Sequence, residues 1–245
     1  MNVDVLDTEV GLQNPNVAFE KLYLKVRDHE KRGISDEQLQ QLPDIDTSHI
    51  HYTEWQVRKR SSERLKTYLK KQKRPLNVLE IGCGNGWLCS KLADIPNTNV
   101  TGLDINITEI DQAKRVFKKL NLEFVASEFK PGLFKQNFDI ILFAASLPYF
   151  KNLDEILNNS LISLADNGEI HILDTHFYES DGVNGAIERM ENYYTAMGFP
   201  EMSACYYHYT LNDIQQFNPE ILVNPRSFFN KIIKKEPFYW LTISN

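Results

Sequence analysis

Residues 80–86 read Glu-Ile-Gly-Cys-Gly-Asn-Gly, three glycines on alternate positions behind an acid. Glycines so spaced let the backbone turn sharply and let a ligand approach with no Cβ in the way. A helix opening behind the turn at Trp87 would aim its free N–H groups at whatever binds. The spacing limits the ligand. A dinucleotide fingerprint, G-x-G-x-x-G, needs glycine at position 87, where this chain has Trp87, and there is no G-x-x-x-x-G-K-[ST] run for a P-loop. Asp104 stands 18 residues beyond Gly86. Its two carboxylate oxygens suit the vicinal hydroxyls of a ribose; the competing reading is an N-cap for the helix that follows. Further on, Asp174 and His176 follow an apolar run, and His208 sits among Tyr206, Tyr207 and Tyr209. An imidazole titrates near neutrality and can take a proton from an acceptor. His176, Asp174 and His208 are therefore the candidate catalytic residues, with a nearby carboxylate available to orient His176. His171, inside the apolar run, reads as structural.

These residues are placed by a regular alternation of elements. Short apolar runs at 78–81, 99–105, 123–126, 138–143 and 169–174 read as strands, and 87–93, 107–120 and 154–164 read as helices. Strands alternating with helices predict a parallel sheet covered on both faces, with ligands beyond the carboxyl ends of the strands. The glycine turn, Asp104, Glu128 and Ala144–Ser146 all fall at such ends. Ahead of the sheet, Phe19, Leu22, Tyr23 and Val26 mark an amphipathic helix over 16–31, and Ser35-Asp36-Glu37 caps a short second one ending near Pro43. This pair could cover the pocket or mediate a dimer. Beyond Asp174, residues 183–197 read as a helix stopped by Gly198, and 220–223 and 237–243 as the closing strands.

The run Leu79-Glu80-Ile81-Gly82-Cys83-Gly84-Asn85-Gly86, with Phe138-Asp139 opening a later strand, resembles motif I and the fourth strand of the class I S-adenosylmethionine-dependent methyltransferases, in the broad bacterial group acting on small or unassigned acceptors. The resemblance covers about residues 50–245. It implies an α/β, Rossmann-like, doubly wound sheet of seven strands, mostly parallel with an antiparallel last strand. It divides the chain into an N-terminal helical extension over 1–50 and a methyltransferase domain over 51–245. The implied cofactor is S-adenosyl-L-methionine, its product S-adenosyl-L-homocysteine, held by Glu80, Gly82, Cys83, Gly84, Gly86, Asp104, Ile105, Glu128, Phe129 and Ala144. Glu128 would meet the adenine amino group and Phe129 the ring, although Ser127-Glu128 departs from the commoner Gly-Asp pair. Cys83 also reads as a small packing residue. Ser146-Leu147-Pro148-Tyr149 partly matches the Pro-Pro-aromatic motif of amino-group methyltransferases; with Leu147 in place of the first proline it reads as a pocket wall.

Bulk properties set further bounds. A hydrophobic content of 42% and a charged content of 24% are those of an ordinary globular protein. No apolar run approaches the ~20 residues of a membrane span, and residues 1–11 have no signal-peptide core. The three cysteines, Cys83, Cys89 and Cys205, form no C-x-x-C, so no structural metal is expected and the setting implied is a reducing cytoplasm. Between Arg58 and Arg74 nine Lys/Arg face one acid, Glu63, leaving the rest of a chain of net charge −6 acidic. The run could dock RNA or an acidic protein; with Trp55, Leu65, Tyr68 and Leu69 on its other side it reads first as the solvated face of an amphipathic helix. The expected function is methyl transfer to a small-molecule acceptor by a monomer or homodimer. The alternatives are an RNA or protein methyltransferase docking through 58–74, or a cofactor-binding protein without turnover.

Overall fold

The structure, a computed structural model, describes residues 15–228, 230 and 236–244; the acidic first eleven residues lie outside it. Three helices come first: α1 (Pro15–His29), α2 (Asp36–Gln41) and α3 (Tyr52–Lys71). The alternating core follows as β1 (Leu76–Ile81), α4 (Trp87–Leu92), β2 (Thr98–Asp104), α5 (Ile107–Val116), β3 (Leu122–Ala126), β4 (Phe138–Ala144), α6 (Leu153–Ile162) and β5 (Leu164–Thr175). Then come β6 (Phe177–Tyr178), α7 (Val183–Ala196), β7 (Tyr209–Thr210), β8 (Glu220–Val223) and β9 (Tyr239–Ser244).

Seven strands form one sheet in the order β3-β2-β1-β4-β5-β9-β8. The first five pair in parallel, and β9 runs antiparallel to both β5 and β8. The parallel, doubly wound sheet is as the alternation predicted, and its antiparallel last strand is as the resemblance implied. Strand alternation sorts the core onto two faces. Val78, Val100, Ile140 and Leu142 pack with Leu65, Leu69, Leu88, Leu92 and Ile110 of α3, α4 and α5. Leu79, Ile81, Ile141, Phe143 and Ile172 pack with Leu153, Ile156 and Leu157 of α6. A third, smaller cluster joins Val26 of α1 to Tyr194 of α7 and to Met202 in the 3₁₀ turns Pro200–Cys205. It brings the N-terminal helix over the carboxyl edge of the sheet.

Local chemistry explains most element ends. Ser35 and Gln38 form a reciprocal capping box on α2. Gly198, at φ +81°, ends α7 with its N–H on the Thr195 carbonyl. The largest departures from the boundaries read in the sequence are in α5 and β5. Helix α5 stops at Val116, short of Leu120, because Phe117 turns to extended backbone, where its ring lies 6.5 Å from that of Phe124. Strand β5 begins at Leu164, not at 169, since Leu164 already pairs with Phe138; α6 ends two residues early to let it. The two-residue parallel pair β6–β7 had no signal in the sequence.

Candidate functional site

The glycine turn is forced by close approach from two sides. Gly82 has φ +74°, and a Cβ there would sit 2.4 Å from the Ser146 Cβ. Gly86 has φ +73° and a Cβ would sit 2.3 Å from the Phe124 ring. Neither position accepts a side chain without displacing its neighbour. The Ser146 hydroxyl donates to the Ile81 carbonyl at 2.6 Å, locking the turn after β1 to the turn after β4. Gly86 thus supports the loop from below, while Gly82, Cys83 and Gly84 line a cavity of about 1940 Å³.

Asp104 ends β2 at the mouth of this loop. One carboxylate oxygen accepts from the Gly84 N–H at 2.7 Å and the other from the Asn106 N–H at 2.9 Å. The N-cap of α5 is Asn106, whose Oδ1 accepts from the Glu109 N–H; Asp104 is therefore not tied to the cap. Burial raises its pKa, against these backbone hydrogen bonds. Asn106 is 3% exposed, and its Nδ2 has no hydrogen-bond partner. Glu80 is buried too and accepts from the Cys89 thiol at 2.9 Å. Burial pushes its pKa up to about 8, so at neutral pH the carboxyl is mostly protonated. Ile105, Phe129 and Ala144 line the same cavity, as does Glu128, which pairs with Lys130 at 3.0 Å on the exposed rim.

The cavity is roofed by residues from α1. Arg27 reaches Glu109 at 3.5 Å and Tyr23 at 3.4 Å. Glu109 is 8% exposed and within 3.0 Å of where a Gly84 Cβ would lie. Tyr23 packs edge-on to Tyr149 at 5.6 Å, and Tyr149 edge-on to Tyr206 at 5.5 Å. The segment after β4 is therefore a packed wall, as the sequence suggested. None of Tyr23, Arg27 or Glu109 announced itself in the sequence: the stripe Phe19-Tyr23-Val26 is what any half-buried helix shows.

Asp174, His176 and His208 line the same cavity, although β5 presents Asp174 in an unexpected way. Its register against β9 shifts between Ile172 and Thr175, and within that bulge Asp174 adopts φ +51°, which re-aims its side chain. The carboxylate accepts from the Ser61 hydroxyl of α3 at 2.9 Å. It does not orient His176; that expectation is corrected by the bulge, which turns Asp174 toward α3. Burial raises the Asp174 pKa, with Arg58 opposing. His176 packs on Tyr178 at 4.4 Å between ring centres, and Tyr178 on His208 at 5.2 Å. Desolvation and then arginine charge lower both imidazole pKa values: Arg226 and Arg189 act on His176, and Arg189, with His176, on His208. Both are free bases at neutral pH. His171 is fully buried, accepting from Trp240 Nε1 at 3.0 Å, and is structural.

The glycine loop beneath a strand-terminal acid, at the carboxyl edge of a sheet in this order, defines the class I methyltransferase fold. A model of the methyltransferase domain family matches residues 72–236, and the chain belongs to that family. Among curated proteins it is similar to the malonyl-[acyl-carrier protein] O-methyltransferase of Acetivibrio thermocellus, with 30% identity over 94 residues, 38% of this chain and 33% of that one. It is also similar to the ribosomal RNA small subunit methyltransferase C of Buchnera aphidicola, with 35% identity over 104 residues, 39% of this chain and 32% of the relative. The matched stretches thus span about a third of these relatives. Among solved structures, the plantazolicin methyltransferase BpumL in complex with a desmethylPZN analog and S-adenosylhomocysteine aligns over 94% of this chain and 98% of its own, with TM-score 0.55 and 18% identity. A methyltransferase from Thiobacillus denitrificans, also bound to S-adenosyl-L-homocysteine, aligns over 75% and 89%, with TM-score 0.50 and 14% identity. Among the described residues no helix is long and apolar enough to cross a membrane, and no cluster of metal-ligating side chains occurs.

Proposed function

We propose that the protein transfers the methyl group of S-adenosyl-L-methionine to a small acceptor held in the roofed cavity. The observation that carries this is the convergence of the Gly82–Gly84 loop and Asp104 on one cavity beyond the carboxyl ends of β1 and β2. The residues present fit a nucleoside carrying an amino-acid chain. Asp104 offers acceptor oxygens for ribose hydroxyls. The buried, unpartnered Nδ2 of Asn106 offers a donor beside it. Phe129 and Ile105 offer apolar surface for a base, with Glu128 at its edge, and the side-chain-free loop leaves room for the amino-acid end.

The cofactor, when bound, supplies a methyl group already activated on a sulfonium. What remains for the chain is to align an acceptor, exclude water and accept a proton where the acceptor has one to lose. Alignment and water exclusion fall to the roof of α1 and to the aromatic wall of Tyr23, Tyr149 and Tyr206. Proton acceptance falls to His176 or His208, which are neutral at physiological pH. Asp174, bonded to Ser61 near Arg58, supports the wall between α3 and β5. Acceptors differ between the relatives, from malonyl-[acyl-carrier protein] to small-subunit ribosomal RNA by their names. The aromatic wall of Tyr23, Tyr149 and Tyr206 favours a small acceptor here.

The test is calorimetric titration of the protein with S-adenosylhomocysteine, with NAD as control. Saturable binding of S-adenosylhomocysteine alone, lost in Asp104→Ala, is the expected result. Preference for NAD, or S-adenosylhomocysteine binding indifferent to Asp104→Ala, would overturn the assignment.

A further inference from the structure

Four arginines line the cavity: Arg27, Arg32, Arg58 and Arg189. Three of them are answered by carboxylates. Arg27 pairs with Glu109, Arg32 with Glu30 and Glu54, and Arg58 with Glu54. Arg189, on α7, has neither an ion pair nor a hydrogen bond to any described residue. Its guanidinium folds back along its own helix: a Cβ on Gly185 would lie 3.3 Å from Nη1. Here glycine leaves the space in which that head group rests. His176, Tyr178 and His208 line the same cavity, in tilted ring contact one after the next, with Tyr206 5.4 Å beyond His208. His208 Nε2 is sequestered and has no partner.

Two other charges, Arg226 and Asp174, are held by partners of their own. Arg226 pairs with Glu179, donates to the Phe177 carbonyl at 3.1 Å and lies 5.8 Å over the Tyr239 ring. Asp174 is held by Ser61 and faces the positive field of Arg58 and Arg64. The acids of the cavity that touch the glycine loop, Glu80, Asp104 and Glu109, belong to the cofactor end. An unanswered guanidinium beside a row of neutral aromatic rings is the chemistry that recognises a planar anion.

We propose that Arg189 is the specificity residue of the acceptor end, and that the acceptor is an aromatic or similarly flat molecule bearing a carboxylate which Arg189 binds while its body lies along His176, Tyr178 and His208. This rests on the methyltransferase reading and names the acceptor class for that same cavity. The same arrangement discriminates against protonated amines, which would meet the unpaired cation. The Arg189 charge lowers the His176 and His208 pKa values; neutralising it with a bound carboxylate would raise both. Arg189 is therefore also the link through which acceptor binding reaches the imidazoles.

The probes are benzoate and benzamide, equal in shape and unequal in charge, titrated into ¹³C-histidine-labelled full-length protein with and without S-adenosylhomocysteine. Benzoate is expected to saturate and to shift the His176 and His208 signals, and benzamide to bind at least about tenfold more weakly. Arg189→Ala should abolish the preference while keeping the unfolding temperature, because the side chain is exposed on α7. Arg189→Lys should keep part of it, having the charge but not the fork. Equal binding of the two probes, no binding of benzoate, or benzoate affinity unchanged in Arg189→Ala would each overturn the proposal. The S-adenosylhomocysteine titration alone decides whether the methyltransferase reading stands, so the two can fail separately.

Discussion

Glu80 shows how burial rewrites a residue that sequence reads as an acid. In the motif it is a carboxylate; in the structure it is 3% exposed beneath the glycine loop, with a thiol as its donor. Burial raises its pKa from 4.5 to about 8. A raised acid holds its proton in the folded state while the unfolded chain gives it up, so its contribution to stability is complete below about pH 4.5 and is lost as pH rises toward 8. Glu80→Gln keeps the acceptor oxygen and cannot ionise. We expect its urea midpoint to exceed that of the wild type increasingly between pH 5 and 8, with equal midpoints near pH 4. A constant offset across that range would show that Glu80 is charged in the folded protein.

At the scale of elements, α1 is the part whose role the sequence left open. It is seated by one pair, half-buried Arg27 to buried Glu109, by Tyr193 donating to Glu30 just past its end at 2.6 Å, and by the aromatic contacts to Tyr149. Removing one partner of a buried pair strands the other. Arg27→Ala leaves Glu109 buried beside Gly84 and Asp104; it should lower stability by about 3 kcal/mol and weaken S-adenosylhomocysteine binding. The double substitution Arg27→Met with Glu109→Gln should recover at least half of the stability, measured as urea midpoints. If the double variant is as unstable as the single one, the pair is not what seats the helix. The capping box of α2 and the glycine stop of α7 were legible because caps are local. The bulge that turns Asp174 was not, because it arises from the pairing of β5 with β9, some 65 residues on.

For the molecule as a whole, the basic run at 58–74 tests how far charge predicts partners. On α3 and just beyond it, Arg58 is met by Glu54, Lys59 by Asp44, Arg64 by Glu236, Lys66 by Glu63 and Arg74 by Asp139. An apparent patch of positive charge is largely internal compensation, and the net charge of the chain is −6. A single-stranded RNA oligomer should therefore bind no more tightly than about 10⁻⁴ M near physiological salt. Submicromolar binding that falls steeply between about 50 and 200 mM salt would restore the docking reading.

Sequence alone determined the alternation of strands and helices, the glycine turn, the acid at the end of β2 and so the candidate residues for the cofactor half of the site. These lie within short stretches, where periodicity and backbone freedom are written residue by residue. It also marked His176 and His208 as candidate proton acceptors, because an imidazole titrates near neutrality. Tertiary structure alone decided the roof over the cavity, the turn of Asp174 toward Ser61 and the burial that neutralises Glu80. It also decided that Arg189 stays unanswered while its neighbours are paired. Those are properties of burial and of which charges meet, set largely by packing between segments about 80 to 160 residues apart, and no local pattern encodes them.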